Sequence, residues 1–264
     1  MTIALAILAS GSGTNAQAMF NAVRNGLLDA DIRLVVCNRP GAGVIARAAD
    51  FGVPCAVMDH TAWPSREAYD AAVVAALREA GADTVALAGY MRMLSPAFLA
   101  AFPGRVLNIH PALLPAFPGV RGIADAHAWS VRITGCTVHF VDEIMDHGAV
   151  IIQAAVPHLP GESEEALAER IHRQEHRIYP QALQWLAEGR LQRYAPGDTA
   201  GSGPDFAPDS APNSALNPAS PEAPDASTRN DARGVRLLPR QTGEISLRVP
   251  CDGDVLFCPP LERF

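Results

Sequence analysis

The chain has 264 residues, 48% of them hydrophobic, and a formal net charge of −7, enough for one substantial core with room for an appendage. All 21 residues counted as Lys or Arg are arginine, which excludes a Schiff-base lysine and a P-loop lysine. No apolar run reaches about 18 residues without a charge, so no membrane span is expected, and five scattered cysteines, an odd number, point to reduced thiols in a cytoplasm.

Residues 1–5 carry no basic leader and read as the start of a strand over 3–9 rather than a signal peptide. That strand enters Ser10-Gly11-Ser12-Gly13-Thr14-Asn15, and a helical pattern follows over 16–24. Strand 32–37, helix 43–51, strand 53–58 and helix 66–80 come next. Ser65 caps the last of these helices and Gly81 stops it. Strands at 84–89 and 105–110 complete an alternation of strand and helix, the signature of a doubly wound, mostly parallel α/β sheet.

After residue 120 the pattern changes. A short helix over 123–132 leads to strands at 135–141 and 149–156, close enough in sequence to be antiparallel neighbours, and Ser163 opens a long amphipathic helix to about 188. Residues 196–232 are rich in Pro, Ala, Ser, Asp and Asn, with Phe206 as the only aromatic. This composition predicts a disordered linker. The linker holds six acidic residues and one arginine, a net −5, which leaves −2 for the rest. A near-neutral body without a basic stripe argues against nucleic-acid binding. Residues 233–264 regain alternation at 244–249, with a turn at Asp252-Gly253, and read as a short C-terminal β segment.

Three stretches bear on chemistry. The first is 106–110, a strand ended by Pro111. Alternation places Asn108 and His110 on one face and Ile109 on the other, at the strand's carboxyl end, where open α/β sheets bind ligands. Such a pair can polarise a carbonyl, hold an oxyanion and move a proton. Asp146 lies between two predicted strands, and a carboxylate beside His110 would favour its imidazolium form. The second is Gly11-Ser12-Gly13-Thr14-Asn15-Ala16, which matches G-x-G-x-x-A and suits an anion at a helix start. A dinucleotide site expects an acidic residue after the second strand, but Cys37-Asn38-Arg39 stands there. NAD is therefore disfavoured, and Arg39 leaves an NADP-binding oxidoreductase as a rival. The third is helix 164–188. His172 and His176 are one turn apart, but the spacing is not H-E-x-x-H, so no metal is expected. His139 reads equally well as a structural group, and Arg66 at a helix start asks for an anionic partner.

Six collinear segments carry a resemblance: SGSGTN at 10–15, SREAYD at 65–70, LAGYMRMLSPAF at 87–98, LNIHPALLPAFPG at 107–119, GCTVHFVDEIMDHGAVIIQ at 135–153 and RQEHRIYP at 173–180. Together they resemble the phosphoribosylglycinamide formyltransferase family over about residues 1–193. The resemblance implies a Rossmann-like formyltransferase fold with a catalytic domain at 1–195. It implies transfer of formyl from 10-formyltetrahydrofolate to glycinamide ribonucleotide in purine synthesis, by a cytoplasmic enzyme that is a monomer or weak homodimer. It gives Asn108, His110 and Asp146 the catalytic roles. It places Gly13, Thr14, Asn15, His172 and Glu175 at the ribonucleotide, and Arg66, Met91, Arg92, Met93, Leu94 and Asn108 at the folate. Val120-Arg121-Gly122-Ile123 and His147 depart from the family pattern. A formyltetrahydrofolate hydrolase would share the Asn-His-Asp logic but needs a regulatory domain for which there is no room. A methionyl-tRNA formyltransferase would want a basic C-terminal domain, and here an acidic segment leads to a short tail.

Overall fold

The computed structural model describes residues 1–194 together with 234–237, 251–252 and 255–258. The expected linker at 196–232, the strand at 244–249 and Gly253 of the expected turn lie outside the described residues, while Asp252 ends a strand. In chain order the elements are β1 (Ile3–Ala9), α1 (Thr14–Arg24), β2 (Ala30–Cys37), α2 (Gly43–Asp50), β3 (Cys55–Val57), α3 (Arg66–Glu79), β4 (Thr84–Leu87), α4 (Pro96–Ala101) and β5 (Val106–His110). There follow α5 (Gly122–Ala128), β6 (Ile133–Phe140), β7 (Val150–Pro157), α6 (Glu164–Ala187), β8 (Leu191–Tyr194), β9 (Gly234–Leu237), β10 (Cys251–Asp252) and β11 (Val255–Cys258). No helix among the described residues is long and apolar enough to cross a membrane.

One sheet runs in the order β10-β11-β7-β6-β5-β4-β1-β2-β3. Pairings from β3 through β5 are parallel and those from β5 through β10 are antiparallel. Strand alternation gives the sheet two apolar faces. Leu5, Ile7 and Ala9 pack with residues of α1, α2 and α6, while Ala6 and Leu8 pack with residues of α3 and α4. Chain order reverses between β1 and β4, and such a reversal opens a crevice at the carboxyl ends of the strands. Tyr179, fully buried on α6, lies within hydrogen-bond distance of the Leu87 and Leu107 carbonyls at 3.1 and 2.8 Å. It thereby ties β4 to β5 beside that crevice.

The sequence reading and the structure part at several places. The helix expected over 123–132 stops at Ala128, because Ser130 takes a left-handed φ of 51° and Ile133 already pairs with Pro157. The strand expected over 53–58 shrinks to Cys55–Val57. Helix α4 follows a sequence start signal, Ser95 accepting from the Phe98 N–H with Pro96 in the first turn. As the sequence indicates, Ser65 caps α3 and β6 and β7 are antiparallel neighbours.

The outer edge of β7 is covered by the chain's own C-terminal segment. Leu256 pairs with Ala155, Phe257 with Ala154 and Cys258 with Gln153, while β9 pairs with β8 and Val235 packs against the core. An uncovered strand edge invites pairing with other chains, and this segment closes it. Proline cannot sit in a strand paired on both sides. Leu256→Pro should therefore speed amide exchange at 153–155 by about tenfold or more, with Leu256→Val unchanged. Equal exchange in the two variants, read by mass spectrometry, would contradict this pairing.

Candidate active site

The crevice holds a cavity of about 240 Å³. Its floor is the end of β5, with Asn108, Ile109 and His110, and one wall is the segment Met91–Leu94 after β4. The other walls come from Gly119 and Val120 and from the loop 141–146. Asn108, His110 and Asp146, chosen from sequence, all line this one cavity.

His110 is buried and held at both ring nitrogens. Its Nε2 lies 2.8 Å from the Phe117 carbonyl, which can only accept, so Nε2 carries a hydrogen. Its Nδ1 lies 3.4 Å from Asp146 Oδ2. The Gly119 N–H donates to the same Oδ2 at 2.7 Å. Asp146 Oδ1 lies 3.8 Å from His139 Nε2. Asp146 reaches this point from a left-handed backbone, φ 51°, which costs an L-residue of order 1 kcal/mol. The loop carrying it closes on Gly148, where a Cβ would overlap the Phe140 carbonyl.

The sequence reading left His139 as a structural or supporting group, and the β5–β6 register sets it opposite Asn108. Its Nδ1 lies 2.8 Å from the Phe140 carbonyl and so carries the hydrogen. Burial pushes the imidazole below its ordinary range, against the pull of Asp146. The neutral ring therefore offers Nε2 as an acceptor, and the Asn108 Nδ2 donates to it at 3.2 Å. This bond fixes which end of the Asn108 amide is nitrogen.

The segment 91–94 is pinned at both ends. The Met91 N–H donates to Ser10 Oγ at 2.9 Å, and the Ser95 N–H donates to Asp70 Oδ2 at 2.6 Å. Arg92 stacks over the Tyr69 ring, 4.9 Å from its centroid. Ser10 and Asp70 stand in the segments 10–15 and 65–70 that carry the resemblance, but sequence reasoning gave neither a role, because each acts on the backbone of a segment remote in sequence. Arg66 stays outside the cavity, exposed at the start of α3 and bonded to Glu67. Of the two departures from the family pattern, Arg121 pairs outward with Asp125 at 3.2 Å and His147 ties back to Asp142 at 3.2 Å.

The loop 11–15 forms a second group. No side chain caps α1, so its first N–H groups stay available to a ligand. Asn15 Nδ2 donates to Glu175 Oε2 at 2.8 Å, and among the described residues the buried Asn15 Oδ1 has no partner. Burial pushes the Glu175 carboxyl above its ordinary range, opposed first by His172 and then by Asn15 and His110. His172 itself is exposed one turn before Glu175.

Residues 3–183 match the formyl transferase family. The phosphoribosylglycinamide formyltransferase of Escherichia coli strain K12 is 40% identical over 190 residues, which cover 72% of this chain and 90% of that protein. The trifunctional purine biosynthetic protein adenosine-3 of Drosophila pseudoobscura is 46% identical over 191 residues, 72% of this chain. The chain spans only 14% of that relative's length. The crystal structure of glycinamide ribonucleotide transformylase 1 from Symbiobacterium toebii superposes with a TM-score of 0.74. It is 40% identical, and the match covers 90% of this chain and 95% of that one.

The depressed His139 has a consequence for stability. As pH falls, the unfolded chain binds a proton at this ring, near its ordinary value of 6.5, before the folded chain does. Stability from this group is full above that value and is lost as pH falls from it through the folded value. The urea midpoint should therefore fall less between pH 7.5 and 5.5 in His139→Gln than in the wild type. Parallel falls would contradict a buried neutral ring.

Proposed function

The chain belongs to the phosphoribosylglycinamide formyltransferase family, and from that premise we propose that it transfers formyl from 10-formyltetrahydrofolate to the amine of glycinamide ribonucleotide, a step of purine biosynthesis. The observation that carries this reading is one cavity shared by an amide, an imidazole and a carboxylate at the end of β5. Its lining suits the donor. Leu87, Leu94, Ile109 and Val141 supply apolar walls for a flat ring system, and Asn108, His110 and Asp146 supply polar groups to the same cavity. When bound, the donor supplies the formyl group on a nitrogen that can leave.

At the reacting carbon the amine of the ribonucleotide adds, and the carbonyl oxygen takes negative charge. Asn108 uses one N–H on His139, and its second N–H is free to reach that oxygen. His110, oriented through Phe117, brings its Nδ1 side to the same end of the cavity and supplies charge and a proton. The carboxylate of Asp146 pairs with that imidazolium and receives a proton on its behalf through solvent. Collapse breaks the bond from carbon to the donor nitrogen, which leaves with a proton from His110, while the new amide nitrogen gives its extra proton through solvent to Asp146, which returns it to His110. One formyl group and one hydrogen change places, and neither a metal nor a covalent enzyme intermediate is needed to balance the step.

At the far end the open N–H groups of α1 and Thr14 take the phosphate. Glu175 and the unmatched Asn15 Oδ1 accept from ribose hydroxyls or the glycinamide N–H, with His172 beside them. Met91, Arg92, Met93 and Leu94 hold the pterin through their backbone, and Arg66, exposed outside the cavity beside Glu67, is the cation assigned to the donor's acidic tail.

The test is a formyl-transfer assay with glycinamide ribonucleotide beside a water-only control. Product that depends on the ribonucleotide is expected, and formate released equally without it would sink the transferase reading. His110→Ala and Asn108→Ala should each lower kcat by about 10²–10³ while the circular dichroism spectrum stays that of the folded wild type. Near-wild-type turnover in either would remove that residue from the mechanism.

A further inference from the structure

The loop 11–15 does not hold its shape alone; α2 braces it. The Val44 N–H donates to the Gly11 carbonyl at 3.2 Å. Arg47 Nε donates to the Ser12 carbonyl at 2.8 Å, and its Nη1 donates to Gln17 Oε1 in the first turn of α1 at 3.1 Å. Gly13 has φ +77°, and a Cβ there would stand 2.6 Å from Val44 Cβ, so α2 lies directly against the turn. In a trans peptide the carbonyl and the next N–H point in opposite directions. Drawing the Gly11 and Ser12 carbonyls toward α2 therefore turns the N–H groups of Ser12 and Gly13 away from it. They join the uncapped N–H groups at the start of α1. Arg47 also lines, with Thr14, Gln17 and His176, a groove of about 410 Å³ that begins at this loop.

We propose that Arg47 is a positioning residue for the phosphate of the substrate: it holds the Ser12 carbonyl so that the loop's N–H groups converge, and it sets a positive charge at the flank of the anion. This rests on the reading of loop 11–15 as the phosphate site. A guanidinium suits both tasks, since one edge can bond the loop and the helix while its charge acts across the groove. Arg47 is remote from the reacting atoms, so it contributes to binding and not to the chemical step.

The experiment uses the full chain with Arg47→Gln and Arg47→Lys, varying glycinamide ribonucleotide at saturating formyl donor. Arg47→Gln should raise KM by about tenfold or more with kcat within about threefold. Arg47→Lys, which keeps the charge and loses the two-edged bond, should fall between. In parallel, inorganic phosphate should raise the melting temperature of the wild type and not of Arg47→Gln. A KM within twofold of wild type in Arg47→Gln overturns the proposal, as does a kcat loss with KM unchanged. If Arg47→Gln does not fold, Arg47→Lys decides alone: KM raised at least threefold supports the role, and a wild-type KM overturns it. A wild type that formylates no ribonucleotide fails the reaction instead; the phosphate shift, present in wild type and absent in the variant, then still carries Arg47, and an equal shift in both removes it.

Discussion

The carboxylate of Asp146 is the junction on which the site depends. Two partners reach it, the Gly119 N–H from the loop after β5 and His110 from the end of β5, and the neutral His139 ring on β6 stands 3.8 Å away. A carboxylate buried this far must be paired, because an ionised group away from water is costly unless hydrogen bonds and opposite charge compensate. The pairing works in both directions. The carboxylate sets which nitrogen of His110 faces it, and the loop geometry sets where the carboxylate stands. That geometry has its own cost, a left-handed Asp146 and a position at Gly148 that admits no side chain.

The sheet explains why these pieces meet. Had the chain continued its parallel winding after β5, the next strand would have entered from the opposite end. Instead β6 returns antiparallel beside β5, which brings His139 level with Asn108 and ends beside Val106, and the loop that follows runs back along β5 until Asp146 meets His110. Tyr179 on α6 locks β4 to β5 from below. The same helix presents Glu175 one turn earlier, against Asn15 of the first loop. One long helix thus spans both halves of the site, and the distance between the loop 11–15 and the cavity at the end of β5 is fixed by the core.

Much of this was legible in the sequence, for physical reasons. Period-two alternation put Asn108 and His110 on one face, and serines before helical patterns marked the starts of α3 and α6. What escaped notice depends on contacts remote in sequence. The pairing of His139 with Asn108 is a matter of register between two strands, which local pattern does not specify. Ser10 and Asp70 act through backbone groups of residues far along the chain. Arg66 enters at the folate through resemblance alone, since an exposed helix start bonded to its neighbour carries no signal of a ligand. The extent of helix 123–132 was misjudged because a left-handed serine, invisible to propensity, ends it early.

In the proposed mechanism Asp146 acts through His110 and not beside it. A double-mutant cycle on kcat/KM for formyl transfer, with Asp146→Asn, His110→Asn and the pair together, tests it most directly. Residues that work as one unit lose their effect once either is gone, so the double variant should be no slower than the worse single variant. Losses that multiply would show two independent contributions and contradict the account.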